Sequence, residues 1–479
     1  MREVGGGTGT PRRAVVIGSG VAGLTAARAI ADRGARVTLV ERDRLPKAPV
    51  HRAGVPQGRH THVLLEGGQR ALERLLPGAV GELLDRGAPR VGMPEDVLQW
   101  QSDGWYRRTA ATAHLLTPSR PLLESVVRRR VLAGGRVETV EGTEAVGLTG
   151  DAERVTGVVV RERGSEGGGG RREVPADLVV DASGRGSRAP HWLTELGADP
   201  APEERLDTGL AYTSRLYRAG PDPEEGAGAA RYAGQYVVPD PGQVYGAVVL
   251  PVESGLHLVT LSGLRGCEPP TDDEGFTAFA ARLPHPLVRE WLSRAEPVSE
   301  AHGFRDTANI RRRYDRPGRR PAGFVATGDS LCAFNPVYGQ GMTVAVLNAL
   351  ALREELGRRD GAEASRRVHR ALLRSSRQAW AISAGADKNM PGATGNAAGT
   401  RAVERPLTLY MARVQRRAGG DPLVGAAFRA VLGLVAPPRA LFAPRVLRAV
   451  LLGPDPAVPD RPPLRREGEE TPEPTPERG

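Results

Sequence analysis

Lysine is almost missing from this 479-residue chain. Only Lys47 and Lys388 are lysines among 66 basic residues, so arginine carries nearly all of the formal +10 charge. A pI near 10.1 raises nucleic-acid binding. The arginines are dispersed among 56 acids and form no basic block interleaved with aromatics, which argues for a compositional bias instead and for no nucleic-acid partner. Two cysteines, Cys267 and Cys332, are too few for a disulfide framework and fit a reducing compartment. No stretch reaches the roughly 18 apolar residues that span a bilayer, so no transmembrane segment is expected. The start, "MREVGGGTGTPRR", has no apolar h-region and does not read as a signal peptide. The expectation is a soluble cytoplasmic protein.

What is present is ordinary for an enzyme: 40% hydrophobic and 25% charged residues, with aromatics at 4%. Residues 12–41 read as strand, helix, strand: "RAVVIG", "VAGLTAARAIADRG", "ARVTLVE". A loop with three prolines and three histidines fills 44–62, and "GGQRALERLLPG" follows as a helix. Strand-like alternation covers 91–117, and "SRPLLESVVRRRVLAGG" is helical. Strands joined by a turn run from 136 to 163, and "GSEGGGGRR" is a flexible tip. Residues 205–315 are mostly strands, with a hairpin turning at Glu253–Gly255. Helical pattern runs from 343 to about 452, and the proline-rich, charged end reads as disordered.

The stretch "VVIGSGVAGLTAARAI" contains Gly18-Ser19-Gly20-Val21-Ala22-Gly23 between a strand and a helix. Gly18 permits a tight turn, Gly20 lets backbone approach a pyrophosphate, and Gly23 lets helix and strand pack closely. The helix N-terminus offers free N–H groups to the anion. Glu41 ends the next strand, where a carboxylate accepts ribose hydroxyls and repels a 2′-phosphate. The cofactor is therefore FAD or NAD.

Far downstream, "GFVATGDSLCAFNPVYGQGM" delivers Asp329 to the end of a buried strand, the ligand edge of an open α/β sheet. Pro336, Gly339 and Gly341 then shape a turn into a helix whose N-terminus favours negative charge. Such a turn lets a flat anionic ring lie against backbone. "VPADLVVDASGRGS" supplies a third strand-to-turn element carrying Asp181 and Gly184.

In this order and spacing, "GSGVAG…ER", "VVDASGRGSR" and "ATGDSLCAFNPVYGQGM" resemble the FAD-dependent monooxygenases of the para-hydroxybenzoate hydroxylase type. "HRAGVPQGRHTHVLLEGGQRALERLLPG" narrows the resemblance to the flavin epoxidases of polyether polyketide pathways. The likeness covers about residues 12–350. It implies an α/β fold: a discontinuous FAD-binding Rossmann-like (GR2-type) domain, an inserted antiparallel β-sheet substrate domain and a C-terminal helical region. The expected segments are 12–90, 119–204 and 316–358 for FAD binding, 91–118 and 205–315 for the substrate sheet, 359–453 for the helices and 454–479 for the tail.

The resemblance also implies roles. Gly18 to Gly23 hold the FAD pyrophosphate and Glu41 the adenosine ribose, with Arg42 at the adenine end. Arg120 contacts ribose or phosphate, and the Ala145 backbone meets adenine. Asp329 serves the ribityl–pyrophosphate region, and Pro336, Gly339, Gln340, Gly341 and Met342 border the flavin ring. Arg59 and His60 line the FAD site or its loop. Where the family reads Asp-Gly, this chain reads Asp181-Ala-Ser-Gly184, a form also found in flavin halogenases and prenyl reductases. Asp181 then anchors its turn, and direct NADPH binding in the usual manner is weakened.

The implied activity is oxygen insertion into an apolar polyketide or terpenoid, by epoxidation or hydroxylation, through a flavin C4a-hydroperoxide. No protein nucleophile is needed. Tyr338 and Gln340 are the substrate-side candidates. Co-substrates are O2 and NAD(P)H, the latter acting directly or through a partner flavin reductase. The alternatives are a flavin-dependent reductase of prenyl or alkene double bonds, or a non-catalytic flavin- or lipid-binding protein. His60 and His62 in "RHTH" have no partners at metal-site spacing, so no metal is expected. The apolar, arginine-spaced stretch 421–453 admits three readings: a lid over a lipophilic substrate, a surface for peripheral membrane contact, or helices packing on the core.

Overall fold

The computed structural model describes residues 11–164, 170–220, 232–356, 362–399 and 402–467. Residues 1–10, most of the glycine-rich tip (165–169) and the last twelve residues of the tail (468–479) lie outside the described residues.

The strands Phe324–Ala326, Leu178–Asp181, Arg13–Ile17, Arg36–Val40 and Val137–Val140 form, in that order, a five-stranded parallel sheet. Their runs are apolar without alternation because such a sheet is covered on both faces. Arg13–Ile17 buries four of its five residues. The helices Val21–Ala31, Arg120–Leu132 and Gly341–Glu355 contribute Leu24, Val127 and Val346 to the same core. Three far-apart segments thus build one domain, as the motif order predicts.

The second layer is an eight-stranded sheet of mostly antiparallel pairs. Its centre is the predicted hairpin, Tyr245–Pro251 with Leu256–Gly263, turning through Glu253–Gly255. Strand Val97–Gln101 joins it by pairing parallel with Gly234–Val237, so part of the early insertion shares a sheet with the long one, while Arg90–Met93 and Ala113–Leu116 pair in a separate two-stranded sheet. Two short helices, Asp273–Phe279 and Leu287–Arg294, interrupt a region expected to be mostly strands. They cover the sheet's far face with Phe276, Phe279, Val288 and Leu292, packed in one cluster with Tyr217 and Val259. Asp272 caps the first of them by accepting from Gly275 N at 2.7 Å.

Helices Arg405–Ala418, Pro422–Leu432 and Pro444–Leu452 form a C-terminal subassembly around Val414, Phe428, Leu441 and Val450. Tyr106, from the substrate-sheet side, inserts into this cluster.

Residues 454–467, expected to be disordered, instead dock as an irregular strap. Fully buried Arg108 donates to Glu95 O at 2.9 Å and to the carbonyls of Pro463 and Leu464. Arg466 pairs with Glu95 at 2.6 Å and Asp96 at 2.9 Å. Composition marks these residues as unable to bury a core of their own. It does not reveal that an arginine elsewhere supplies their backbone with donors.

Candidate functional site

The Gly18–Gly23 turn divides its three glycines by function. Gly18 has φ +95°, and a Cβ there would sit 2.8 Å from Ala182 O. A Cβ on Gly23 would fall 1.7 Å from Gly18 O. Both positions are closed by backbone. At Gly20 the nearest atom to a Cβ is the tip of Arg120, at 3.5 Å. Space therefore remains in front of the helix start, and Gly20 makes no side-chain cap bond, so the first N–H groups stay available to an anion.

Glu41 is buried beside this turn. Its carboxylate accepts from Ser19 N at 2.9 Å, Ser19 Oγ and Asp43 N at 3.0 Å. Arg52 adds a fourth contact, Nη1 to Oε2 at 3.0 Å. The same guanidinium pairs with Asp43 at 3.3 Å and Glu124 at 3.2 Å. Burial alone would lower the Arg52 pKa, but Glu124 and Glu41 outweigh it and raise it. Arg52 thus pins the 44–62 loop onto the sheet and holds three buried acids together. Sequence reading passed over it. The available signal was Glu41 and Asp43 two apart, a repulsive pair that needs a cation once buried. Arg120 opens its helix behind the Ser119 cap and donates to Glu124 at 2.6 Å. Arg42 donates to Gly54 O at 3.2 Å.

Asp181 is fully buried and accepts from Ser183 N at 3.0 Å and from the Ser187 hydroxyl. Gly184 N donates to Ser330 Oγ at 2.9 Å, tying this turn to the one at Asp329. Asp329 faces the cavity with Arg185 Nε 3.9 Å away. Burial raises its carboxyl, opposed by Arg185 and Arg120.

The turn Pro336–Tyr338 rests on a buried polar cluster. Asp387 accepts from Tyr338 Oη at 2.8 Å, Asn335 Nδ2 at 2.9 Å and Asn309 Nδ2 at 2.7 Å. Burial lifts the Asp387 carboxyl to about 6 against these three donors. Gly339 takes φ +63°, and the helix begins at Gly341. Gln340 belongs to the cavity wall but is itself buried, and its Oε1 has no hydrogen-bond partner among the described residues.

His60 Nδ1 lies 2.9 Å from Ser214 Oγ, which lies 2.6 Å from Thr260 Oγ1. Burial, aided by charged or histidine neighbours, pulls both His60 and His62 down to about 3, so both are neutral at pH 7. Among the described residues no group of three or more His, Cys, Asp or Glu side chains is placed to hold a metal. Arg59 turns toward His302, 3.1 Å away, and is not in the cavity wall.

One cavity of about 1430 Å³ unites these elements. Gly18 to Ala22, Glu41, Arg42, Arg120 and Ala145 line one end. Gly184, Asp329 and Pro336 to Met342 line its middle. Gly23 and Asp181 sit behind the wall, Gly23 acting through close packing and Asp181 by holding its turn with hydrogen bonds. The far end is a chamber between the sheet (Val97, Tyr236, Leu250) and the C-terminal helices (Met411, Phe428, Leu432). An elongated dinucleotide fits the first two parts: an open helix N-terminus, a buried acid beside it, and a glycine turn with an orphaned acceptor.

The FAD dependent oxidoreductase family profile matches residues 14–191. Protein Rv3254 of Mycobacterium tuberculosis (strain ATCC 25618 / H37Rv) is 36% identical over 407 residues, spanning 81% of this chain and 83% of that protein. The 6-methylpretetramide 4-monooxygenase of Streptomyces rimosus is 29% identical over 380 residues, 73% of this chain and 77% of the relative. The flavin-dependent brominase Bmp2 superposes with a TM-score of 0.62 at 17% identity, over 88% of this chain and 92% of its own. The oxygenase of 2-methyl-3-hydroxypyridine-5-carboxylic acid does so with 0.55 at 20% identity, over 84% and 93%. The chain belongs to the FAD-dependent oxidoreductases and has the fold of the para-hydroxybenzoate hydroxylase-like flavoprotein monooxygenases.

Proposed function

We propose that this flavoprotein is a monooxygenase that epoxidises or hydroxylates a largely apolar polyketide or terpenoid. The observation that carries the reading is the single cavity, in which the dinucleotide cradle opens directly into an apolar chamber. A monooxygenase needs that continuity, because the substrate must meet the ring edge away from water. The relative named as a 4-monooxygenase of 6-methylpretetramide supports oxygen insertion.

FAD, reduced at the expense of NAD(P)H, supplies the oxygen-activating chemistry. The chain's own residues bind, orient and exclude water. The N–H groups from Gly20 onward take the pyrophosphate. Glu41 takes the ribose, with its Ser19 hydroxyl turning aside or a free Oε1 lone pair being used. Asp329 accepts from the ribityl chain, and Pro336 to Met342 lie along the ring. Tyr338 and Gln340 stand on the substrate side of the turn, Tyr338 held by Asp387. The C-terminal helices close the chamber, which is the lid reading of 421–453. Among the described residues no helix is long and apolar enough to cross a membrane.

The test is oxygen uptake coupled to product formation, in wild type, Tyr338→Phe and Gln340→Ala. Each variant is expected to lose about tenfold in turnover or to change the product pattern, the worth of one hydrogen bond near the reacting atoms. Unchanged turnover and products in both would remove Tyr338 and Gln340 from the substrate side. Product formed with no oxygen uptake would make the chain a double-bond reductase.

A further inference from the structure

Among the described residues six arginines are buried: Arg108, Arg215, Arg312, Arg320, Arg417 and Arg429. Five have at least two guanidinium nitrogens answered by carbonyls or carboxylates, although the Nε of Arg312, Arg320 and Arg417 makes no hydrogen bond among the described residues. Arg108 reaches three carbonyls. Arg417 reaches the carbonyls of Gly453 and Pro454 and the Asp455 carboxylate. Arg320 reaches those of Asp199 and Pro200. Arg312 bonds Ser330 O and pairs with Glu203, and Arg215 bonds Ser299 O and pairs with Asp273.

Arg429 differs. It is 7% exposed, and its one hydrogen bond among the described residues runs from Nε to Thr112 Oγ1, 2.7 Å. No carboxylate among the described residues pairs with it. Burial pulls its guanidinium down to about 10, with Tyr106 alone opposing, so it is still charged at neutral pH. A buried cation without a counter-ion costs several kcal/mol and survives where something else answers it. Arg429 lies in the wall of the substrate chamber, beside Phe428 and Val431 on the same helix. One turn further on, Gly433 O accepts from Gly67 N at 2.9 Å, which fixes this helix to the main domain. The guanidinium is thus on a rigid support. Its two terminal nitrogens lie over Gly425 on the preceding turn, 2.9 and 3.1 Å from where a Cβ would stand, and make no hydrogen bond among the described residues, which leaves a fork of the kind that matches a planar oxyanion. Around it are neutral groups: Thr112, Tyr106, whose phenol burial keeps protonated, and Gln101, which accepts from Tyr106.

We infer that Arg429 is a binding residue for a carboxylate on the substrate, so that the enzyme takes an amphipathic acid: a lipophilic body in the chamber and an oxyanion on Arg429. This rests on the monooxygenase reading for the chamber's role, and it narrows the substrate class.

The test uses the FAD-loaded full-length protein and a pair of probes, decanoate and its neutral isostere decanamide, titrated by calorimetry. Decanoate is expected to bind saturably and about tenfold or more tighter than decanamide, the range for a hydrogen bond to a charged group. The preference is expected to fade as pH falls through the carboxyl range, about 4–5, because the acid neutralises while Arg429 stays protonated. Arg429→Met is expected to erase the preference and leave decanamide binding unchanged, with its melting temperature and FAD content recorded alongside. The wild-type comparison of acid and amide stands even if that variant fails to fold. Equal binding of acid and amide, no saturable binding of the acid, or an unchanged preference in a folded Arg429→Met protein would overturn the assignment. So would displacement of decanoate by NADP+, which would give Arg429 to a dinucleotide phosphate. FAD content and oxygen uptake report on the monooxygenase reading separately, so each failure can be told from the other.

Discussion

Arg52→Ala is expected to destabilise the protein by about 3–5 kcal/mol and to weaken FAD retention strongly. The size follows from what the alanine would leave behind. Glu41, Asp43 and Glu124 have side chains only about 5–6% exposed, and Arg52 contacts all three. Removing one partner of a buried ion cluster strands the others without compensation, which costs far more than losing a surface pair. Arg120 still serves Glu124 and Arg163 still serves Asp43, so the loss is bounded. Among the described residues Glu41 pairs with no other cation. Arg52→Lys is expected to recover less than half, because one ammonium cannot fork between Nε and Nη1 partners. Urea unfolding with a flavin assay on the desalted protein checks this. A loss under about 1 kcal/mol would mean that the cluster relaxes into water and that Arg52 does not hold the loop.

Gly23→Ala is expected to cost about 3 kcal/mol or more and to abolish FAD binding. Two effects compete. Alanine favours a helix interior over glycine by about 1 kcal/mol. Against it, the new Cβ would sit 1.7 Å from Gly18 O and 2.8 Å from Gly18 C. Both are backbone atoms of the turn, so neither can swing away, and overpacking of this severity exceeds the usual 1–3 kcal/mol. The clash wins and pushes the helix off the strand, opening the anion cradle. Gly81→Ala is the control: it lies in the helix Ala79–Asp85, with nothing within 4 Å of its Cβ. It is expected to be neutral or stabilising by up to about 1 kcal/mol. Equal behaviour of the two alanines would refute the packing role of Gly23.

The parts of this molecule that could be read from the chain are those in which local chemistry and position coincide. The Gly18–Gly23 turn, the Glu253–Gly255 hairpin and the strand leading to Asp329 each carry their signal within a few residues. Arg52 was missed because its partner Glu124 is 72 residues away. Asp387 was missed because it reads as one more helix acid, and only the fold brings it to Tyr338, 49 residues earlier. Arg429 was hidden for another reason. In a chain with this many arginines, one more looks like solvated surface, and its burial comes from the helix packing against Tyr106 and Thr112, more than 300 residues earlier. The strap 454–467 was misread because its partners are far away in sequence: Arg108 donates to its carbonyls, and its own Arg466 pairs with Glu95 and Asp96. Composition reports whether a stretch can bury itself, not whether another surface will hold it.

The measurement that tests the central claim most directly is a titration of the apoprotein with FAD and with FMN, read by flavin absorbance and fluorescence. The cradle has two ends, and FMN reaches only the one at Asp329 and Pro336 to Met342. FAD is expected to bind with one-to-one stoichiometry and to survive desalting, at least about a hundredfold tighter than FMN. That ratio corresponds to about 2.8 kcal/mol from the Gly20 and Glu41 end. Equal affinity for the two flavins, or a protein that stays colourless after incubation with FAD, would contradict the site as described.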